Sequence, residues 1–157
     1  MLTSVQNPRV KLAKRLHAAK GRRQEGLFLI EGSKLVAEAL AWKWPLDAIF
    51  ATPEWLEAAK PLWRDQAEEA ATHVLAGMGT LENPDGVLAF ARLPANQELP
   101  EIAPDSLWVV ADRIQDPGNL GGFVRTADAA GADAILIGPG TADPFGPKAV
   151  RASMGSL

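Results

Sequence analysis

Asp112-Arg113-Ile114-Gln115-Asp116-Pro117-Gly118-Asn119-Leu120-Gly121-Gly122-Phe123-Val124-Arg125-Thr126-Ala127 is the stretch whose reading decides the fold. It follows an apolar run, Leu107–Ala111, which predicts a buried strand. It leads into Thr126–Gly131, which predicts the end of a helix. A second apolar run, Ala134–Gly138, follows at once. A polar, glycine-rich loop therefore falls at the strand-to-helix turn of a strand–helix–strand unit. Open α/β sheets place their ligands at such turns.

The residues of this loop have specific chemistry. In Asp116-Pro117-Gly118 the proline fixes φ and the glycine is free to turn. Asn119 brings an amide to the helix start. Gly121 and Gly122 let another backbone or a ligand come close. Arg125 follows six residues after Asn119, and a guanidinium there suits a phosphate, which it can grip in a bidentate fork. Spacing alone leaves a second reading open, in which Asp112 or Asp116 pairs with Arg125 and Asn119 is only a cap. Gly118, Gly121 and Gly122 do not have the Gly-x-Gly-x-x-Gly spacing of a dinucleotide fingerprint. The later loop Gly138–Lys148 lacks the Lys-Ser/Thr ending of a P-loop.

Composition narrows the chemistry further. The chain has 157 residues, 47% hydrophobic and 22% charged, the balance of an ordinary globular protein. With no cysteine, disulfides, thiolate nucleophiles and cysteine-held zinc are excluded. His17 and His73 are far apart and not in metal-ligand spacing, so no metal site is expected. No apolar run approaches the ~20 residues of a membrane span, and no export signal is visible. A cytoplasmic protein is expected.

The net charge of −3 hides an asymmetry. Residues 1–25 hold Arg9, Lys11, Lys14, Arg15, Lys20, Arg22 and Arg23 against Glu25 alone. A basic head on an acidic body points to an anionic partner at the head. Asn7-Pro8 predicts the start of a helix that gathers Lys11, Lys14 and Arg15 on one face and Leu12, Leu16 and Ala19 on another. The five tryptophans (Trp42, Trp44, Trp55, Trp63 and Trp108) are scattered, which suits core and boundary packing better than base stacking.

Strands are expected at Leu27–Ile30, Leu46–Ala51, His73–Ala76 and Gly86–Ala91. Helices are expected at Ser33–Ala41, from Pro53, and from Pro61 to about Ala71. Alternating strands and helices imply an α/β layer fold. Residues 94–106 contain three prolines and read as a semi-rigid linker. The organisation expected is a domain at 1–93, a linker at 94–106 and a second domain at 107–157. That second domain is short for independent folding and reads as incomplete.

Asp112-x3-Asp116-Pro-Gly-Asn119-x-Gly121-x3-Arg125-Thr-Ala resembles the first signature motif of the SpoU (TrmH-type) RNA 2′-O-ribose methyltransferases of the SPOUT superfamily. Ser4-x2-Asn7-Pro8, Lys20-x-Arg22-Arg23 and Phe28-Leu-Ile-Glu31-Gly32-x2-Leu35 with Glu38-Ala39 resemble the substrate-binding domain that precedes that catalytic domain. Thr80 and Asn83-Pro84-x-Gly86-Val fit its end. The resemblance implies a small ribosomal-protein-like α/β domain that binds RNA, followed by the first part of an α/β knot domain. It further implies S-adenosylmethionine as methyl donor, RNA and most of all ribosomal RNA as substrate, and a homodimer. The motifs that hold the cofactor are expected after Leu157, so the chain by itself is expected to be inactive. The alternative is a non-catalytic RNA-binding protein or fragment.

The resemblance gives Arg125 a catalytic role. Arginine stays protonated in proteins, so the role expected is to hold a phosphate and stabilise a developing alkoxide. Asn119 is expected to orient Arg125 or bond the nucleotide. Arg9, Lys11, Lys14, Arg15, Lys20, Arg22 and Arg23 are expected to meet RNA phosphates.

Overall fold

A computed structural model describes residues 1–95 and 103–157. The chain divides into two units, Met1–Leu93 and Pro94–Leu157. The expected linker lies largely at residues 96–102, outside the described residues.

The first unit runs α1 (Pro8–Leu16), α2 (Ala19–Glu25), β1 (Leu27–Glu31), α3 (Ser33–Ala41), β2 (Leu46–Ala51), α4 (Pro53–Ala58), α5 (Pro61–Arg64), β3 (Ala67–Glu69), α6 (Thr72–Met78) and β4 (Val87–Arg92). The sheet order is β1-β4-β2-β3. Strand β4 is antiparallel to β1 and β2, and β3 is parallel to β2. Strands β1 and β4 read as apolar runs because they are buried nearly end to end. Phe50 and Phe90 meet in the core at 5.1 Å. Around them close Val10, Ala13 and Leu16 of α1, Leu29 of β1 and Val74, Leu75 and Met78 of α6.

Three expectations need correction here. The helix predicted from Pro61 to Ala71 stops at Arg64, and Ala67–Glu69 becomes β3. Its Ala/Glu composition favours a helix, but backbone pairing with β2 overrides that preference. The strand predicted at His73–Ala76 is helix α6. Its buried residues, Val74, Leu75 and Met78, follow the helical spacing that brings them to one face. The first helix is shorter than its charge pattern suggested. It breaks after Leu16, and its buried face is Val10, Ala13 and Leu16 rather than a stripe reaching Ala19. At the break, Gly21 of α2 lies against the carbonyl of Arg15 so closely that a β-carbon would collide with it.

The second unit runs β5 (Trp108–Ala111), α7 (Pro117–Ala129), β6 (Ala134–Ile137) and α8 (Pro147–Ser153). Strands β5 and β6 pair in parallel, from Trp108 opposite Ala134 to Ala111 opposite Ile137. This is the predicted strand–helix–strand unit. The run Leu107–Ala111 is not wholly buried, however, because Val110 is 60% exposed. Helix α7 covers one face of the pair through Leu120 and Val124, which pack with Ala111 and Ile135. Alternation turns Val110 to the other face.

Candidate functional site

The loop quoted first is mostly helix. Asp116 is the N-cap of α7, its Oδ1 accepting from the backbone N–H of Asn119 at 2.9 Å. Pro117 occupies the first helical position, where its missing N–H costs nothing. The cap is therefore Asp116, not Asn119. The other carboxylate oxygen of Asp116 accepts from Lys148 Nζ at 2.7 Å. That contact, then the Asn119 N–H, hold the Asp116 carboxyl below its ordinary 3.8, against some desolvation. Lys148 sits at the start of α8, so one ion pair ties the amino ends of the two helices together.

Gly121 explains how the helices come so close. A β-carbon there would collide with the Ala149 carbonyl, the Ala152 methyl and the Ser153 N–H of α8. The expected close approach at Gly121 is thus a helix–helix contact. Gly122 is different, since a β-carbon there would have nothing within 4 Å.

Arg125 is exposed, and neither Asp112 nor Asp116 reaches it. Asp112 is 3.8 Å from Arg113 instead, and Asp116 is held by Lys148. The reading in which an aspartate of this loop neutralises Arg125 is thereby removed. At about 100° per residue, Gly118, Gly122 and Arg125 fall within about 60° of one another on one stripe of α7. Helical side chains lean toward the amino end, so the space over Gly122 is open to the Arg125 side chain. Asn119 is also exposed, but stands about 120° around the axis and ~9 Å along it from Arg125. No contact joins the two, so the expectation that Asn119 orients Arg125 is not met.

Two cations near the loop escaped sequence reading. In the sequence Lys148 stands only at the end of a loop that lacks the P-loop pattern. Arg113 has φ 55°, a backbone state rare for non-glycine residues, and its Cγ would lie 3.5 Å from a β-carbon at Gly140. No sequence signal marks either feature.

Most of the basic side chains named in the first unit reach the surface. Lys11, Lys14, Lys20 and Arg23 are exposed, with no ion-pair partner among the described residues. Arg9 reaches Asp47 at 3.5 Å and Arg15 reaches Glu25 at 2.9 Å, both from exposed positions. Arg22 must be corrected. It is only 4% exposed, and its Nη1 donates to the carbonyls of Leu16 and His17 at 2.7 and 2.9 Å. It closes the carboxyl end of α1 from inside and is not part of the surface.

Glu31 is a further residue that sequence reading did not single out for its chemistry. It is 5% exposed at the end of β1. Its carboxylate accepts from the N–H and Oγ1 of Thr80, each at 2.7 Å, and from the N–H of Leu81 at 3.2 Å. The Glu31 and Thr80 of the quoted motifs are thus partners in one buried network that fixes the chain after α6.

A parallel β–α–β unit with an exposed arginine on its helix, joined in sequence to an α/β unit whose first two helices carry exposed lysines and arginines, defines the class: a two-unit α/β protein. Residues 7–89 match the MRM3-like substrate binding domain family, and residues 106–157 match the SpoU rRNA Methylase family. The chain belongs to the SpoU rRNA methylase family. It is 39% identical, over 99% of its own length and 58% of the relative's, to an uncharacterized tRNA/rRNA methyltransferase of Synechocystis sp.. It is 35% identical to the 23S rRNA (guanosine(2553)-2′-O)-methyltransferase of Bacillus subtilis, over 99% of this chain and 61% of that one. The structure of an AdoMet-bound rRNA methyltransferase from Sinorhizobium meliloti superposes with a TM-score of 0.78 at 35% identity, covering 99% of this chain and 60% of that chain. The chain spans about three fifths of the length of these relatives.

Proposed function

We propose that this chain supplies the RNA-binding unit and the ribose side of the active site of an S-adenosylmethionine-dependent RNA 2′-O-methyltransferase acting on ribosomal RNA. One observation carries the reading: Arg125 is exposed and, among the described residues, without an acidic partner, on the same helix stripe as Gly122, where a β-carbon would have nothing within 4 Å. A ribose 2′-hydroxyl is a weak acid and must be placed in line with the methyl donor. Arg125 grips the phosphate beside the target ribose and stabilises the negative charge that develops on its 2′-oxygen. Asn119, at the amino end of the same helix, bonds the nucleotide rather than Arg125.

The methyl donor needs an apolar slot for adenine and free polar groups for its ribose and amino acid ends. After β6, two polar side chains that could serve it are already engaged. Thr141 Oγ1 donates to the carbonyl of Ala111, and Asp143 Oδ1 accepts from the N–H of Phe145. The cofactor contacts are assigned to the part of the relatives' length that this chain does not span. The relatives' names and the AdoMet-bound structure support this donor and substrate.

RNA approaches through Lys11, Lys14, Lys20 and Arg23, with Arg9 and Arg15 at the margin. These contacts give affinity and salt dependence rather than choice of sequence. Among the described residues no helix is long and apolar enough to cross a membrane. The protein acts in the cytoplasm as a homodimer. The test is Arg125→Lys in a polypeptide of the relatives' full length. Turnover is expected to fall by at least tenfold, because lysine loses the bidentate fork. Undiminished turnover would overturn the role given to Arg125.

A further inference from the structure

Four of the five tryptophans are partly buried, whereas Trp42 is 78% exposed. It caps the carboxyl end of α3, and the turn that presents it is closed on both sides. Lys43 N–H donates to the Leu40 carbonyl at 3.2 Å and Trp44 N–H to the Ala39 carbonyl at 2.8 Å. This paired closure puts the residue after the cap in the left-handed region, where glycine is favoured. The residue here is Lys43, at φ 56°. The next residue, Trp44, anchors the turn. Its Nε1 donates to the Arg92 carbonyl at 3.1 Å, and its ring meets Phe28 edge-on at 6.0 Å. Arg92 in turn shares Asp47 with Arg9, at 2.9 and 3.5 Å.

The sequence thus keeps a lysine where glycine fits better, and a large planar ring in water, on a turn that is otherwise rigid. Charge says what meets them. Lys43, Arg92 and Arg9 stand against Asp47 and against Glu38, whose carbonyl accepts from the Trp42 N–H at 2.9 Å, in this chain of contacts. Arg9 belongs to the helix that also carries Lys11 and Lys14. A cationic surface with one bare aromatic face suits a single-stranded nucleic acid, whose phosphates meet the cations while an unstacked base lies on the ring.

We propose that Trp42 is a stacking platform for an unpaired base of the substrate RNA, with Lys43 contacting the neighbouring phosphate. This rests on the RNA-binding reading of the first unit and adds a base contact to it. Binding of the chain to a single-stranded RNA of about 12 nucleotides is compared with binding to the blunt duplex of the same sequence. Trp42→Ala is expected to weaken single-strand binding roughly tenfold and to leave duplex binding and the salt slope unchanged. Trp42→Phe is expected to restore most of the affinity. Paired Lys11→Ala and Lys14→Ala substitutions are expected to lower the salt slope on both RNAs. Wild-type single-strand affinity in Trp42→Ala, or an equal loss on both RNAs, would overturn the stacking role alone. No RNA binding by the wild-type chain would overturn the RNA-binding reading, and the platform with it.

Discussion

Lys148 Nζ lies 2.7 Å from one carboxylate oxygen of Asp116, while the other oxygen caps α7 through the Asn119 N–H. A single side chain therefore starts one helix and tethers the next. Because Asp116 is held below its ordinary value, chiefly by Lys148, its contribution is present above the unfolded carboxylate range. It is lost as pH falls through the lower folded value. Asp116→Asn keeps a capping oxygen but removes the charge. Unfolding midpoints measured from about pH 6 down to about pH 2 should show the wild type losing its advantage over Asp116→Asn in the acid range. An advantage that does not change with pH would contradict this coupling.

Gly121 and Gly122 are neighbours with opposite expected effects. Gly121→Ala drives a methyl into the backbone of α8 and should destabilise the second unit by about 1–3 kcal/mol. Gly122→Ala meets nothing and replaces a helical glycine, so it should stabilise by up to about 1 kcal/mol. The same methyl stands beside Arg125, on the stripe proposed to receive the nucleotide. Thermal denaturation paired with methyl-transfer assays of the full-length protein should find Gly122→Ala more stable and less active. Greater stability with full activity would show that the open stripe has no function.

Arg22 and Lys14 should separate folding from binding. Arg22→Ala leaves the Leu16 and His17 carbonyls without their buried donor and should cost about 2 kcal/mol of stability. Lys14→Ala should leave the denaturation midpoint unchanged and reduce the salt dependence of RNA binding. Reversal of this pattern would move Arg22 back to the RNA surface.

Glu31→Ala should cost about 1–3 kcal/mol, because it strips the acceptor from the N–H groups of Thr80 and Leu81 and from the Thr80 hydroxyl. RNA affinity of the folded fraction should not change. A loss of affinity without a loss of stability would assign Glu31 to the substrate instead.

Much of this was legible in the sequence. Asn7-Pro8, Ser33–Ala41 and Leu46–Ala51 carry strong local signals, and the structure forms a helix start, a helix and a strand there. Ala67–Glu69 was not legible, because only its pairing with β2 makes it a strand. Arg22 looked like its neighbours Lys20 and Arg23, since charge patterning does not reveal which guanidinium turns back on its own helix. The loop at Asp112–Ala127 revealed its glycines and Arg125 at once. The partner of Asp116 was hidden, because Lys148 lies 32 residues away in sequence. What the spacing could not decide, whether Arg125 is neutralised by an aspartate of its loop, the geometry of Asp112 and Asp116 decides.

The position of the transferred methyl separates ribose methylation from base methylation. A polypeptide of the relatives' full length carrying this chain is incubated with labelled S-adenosylmethionine and ribosomal RNA, and the RNA is then digested with alkali. Label is expected in alkali-resistant dinucleotides, the signature of a blocked 2′-hydroxyl, and is expected to be lost in Arg125→Ala with RNA binding retained. Label on a base, or undiminished ribose labelling by Arg125→Ala, would contradict the proposed function.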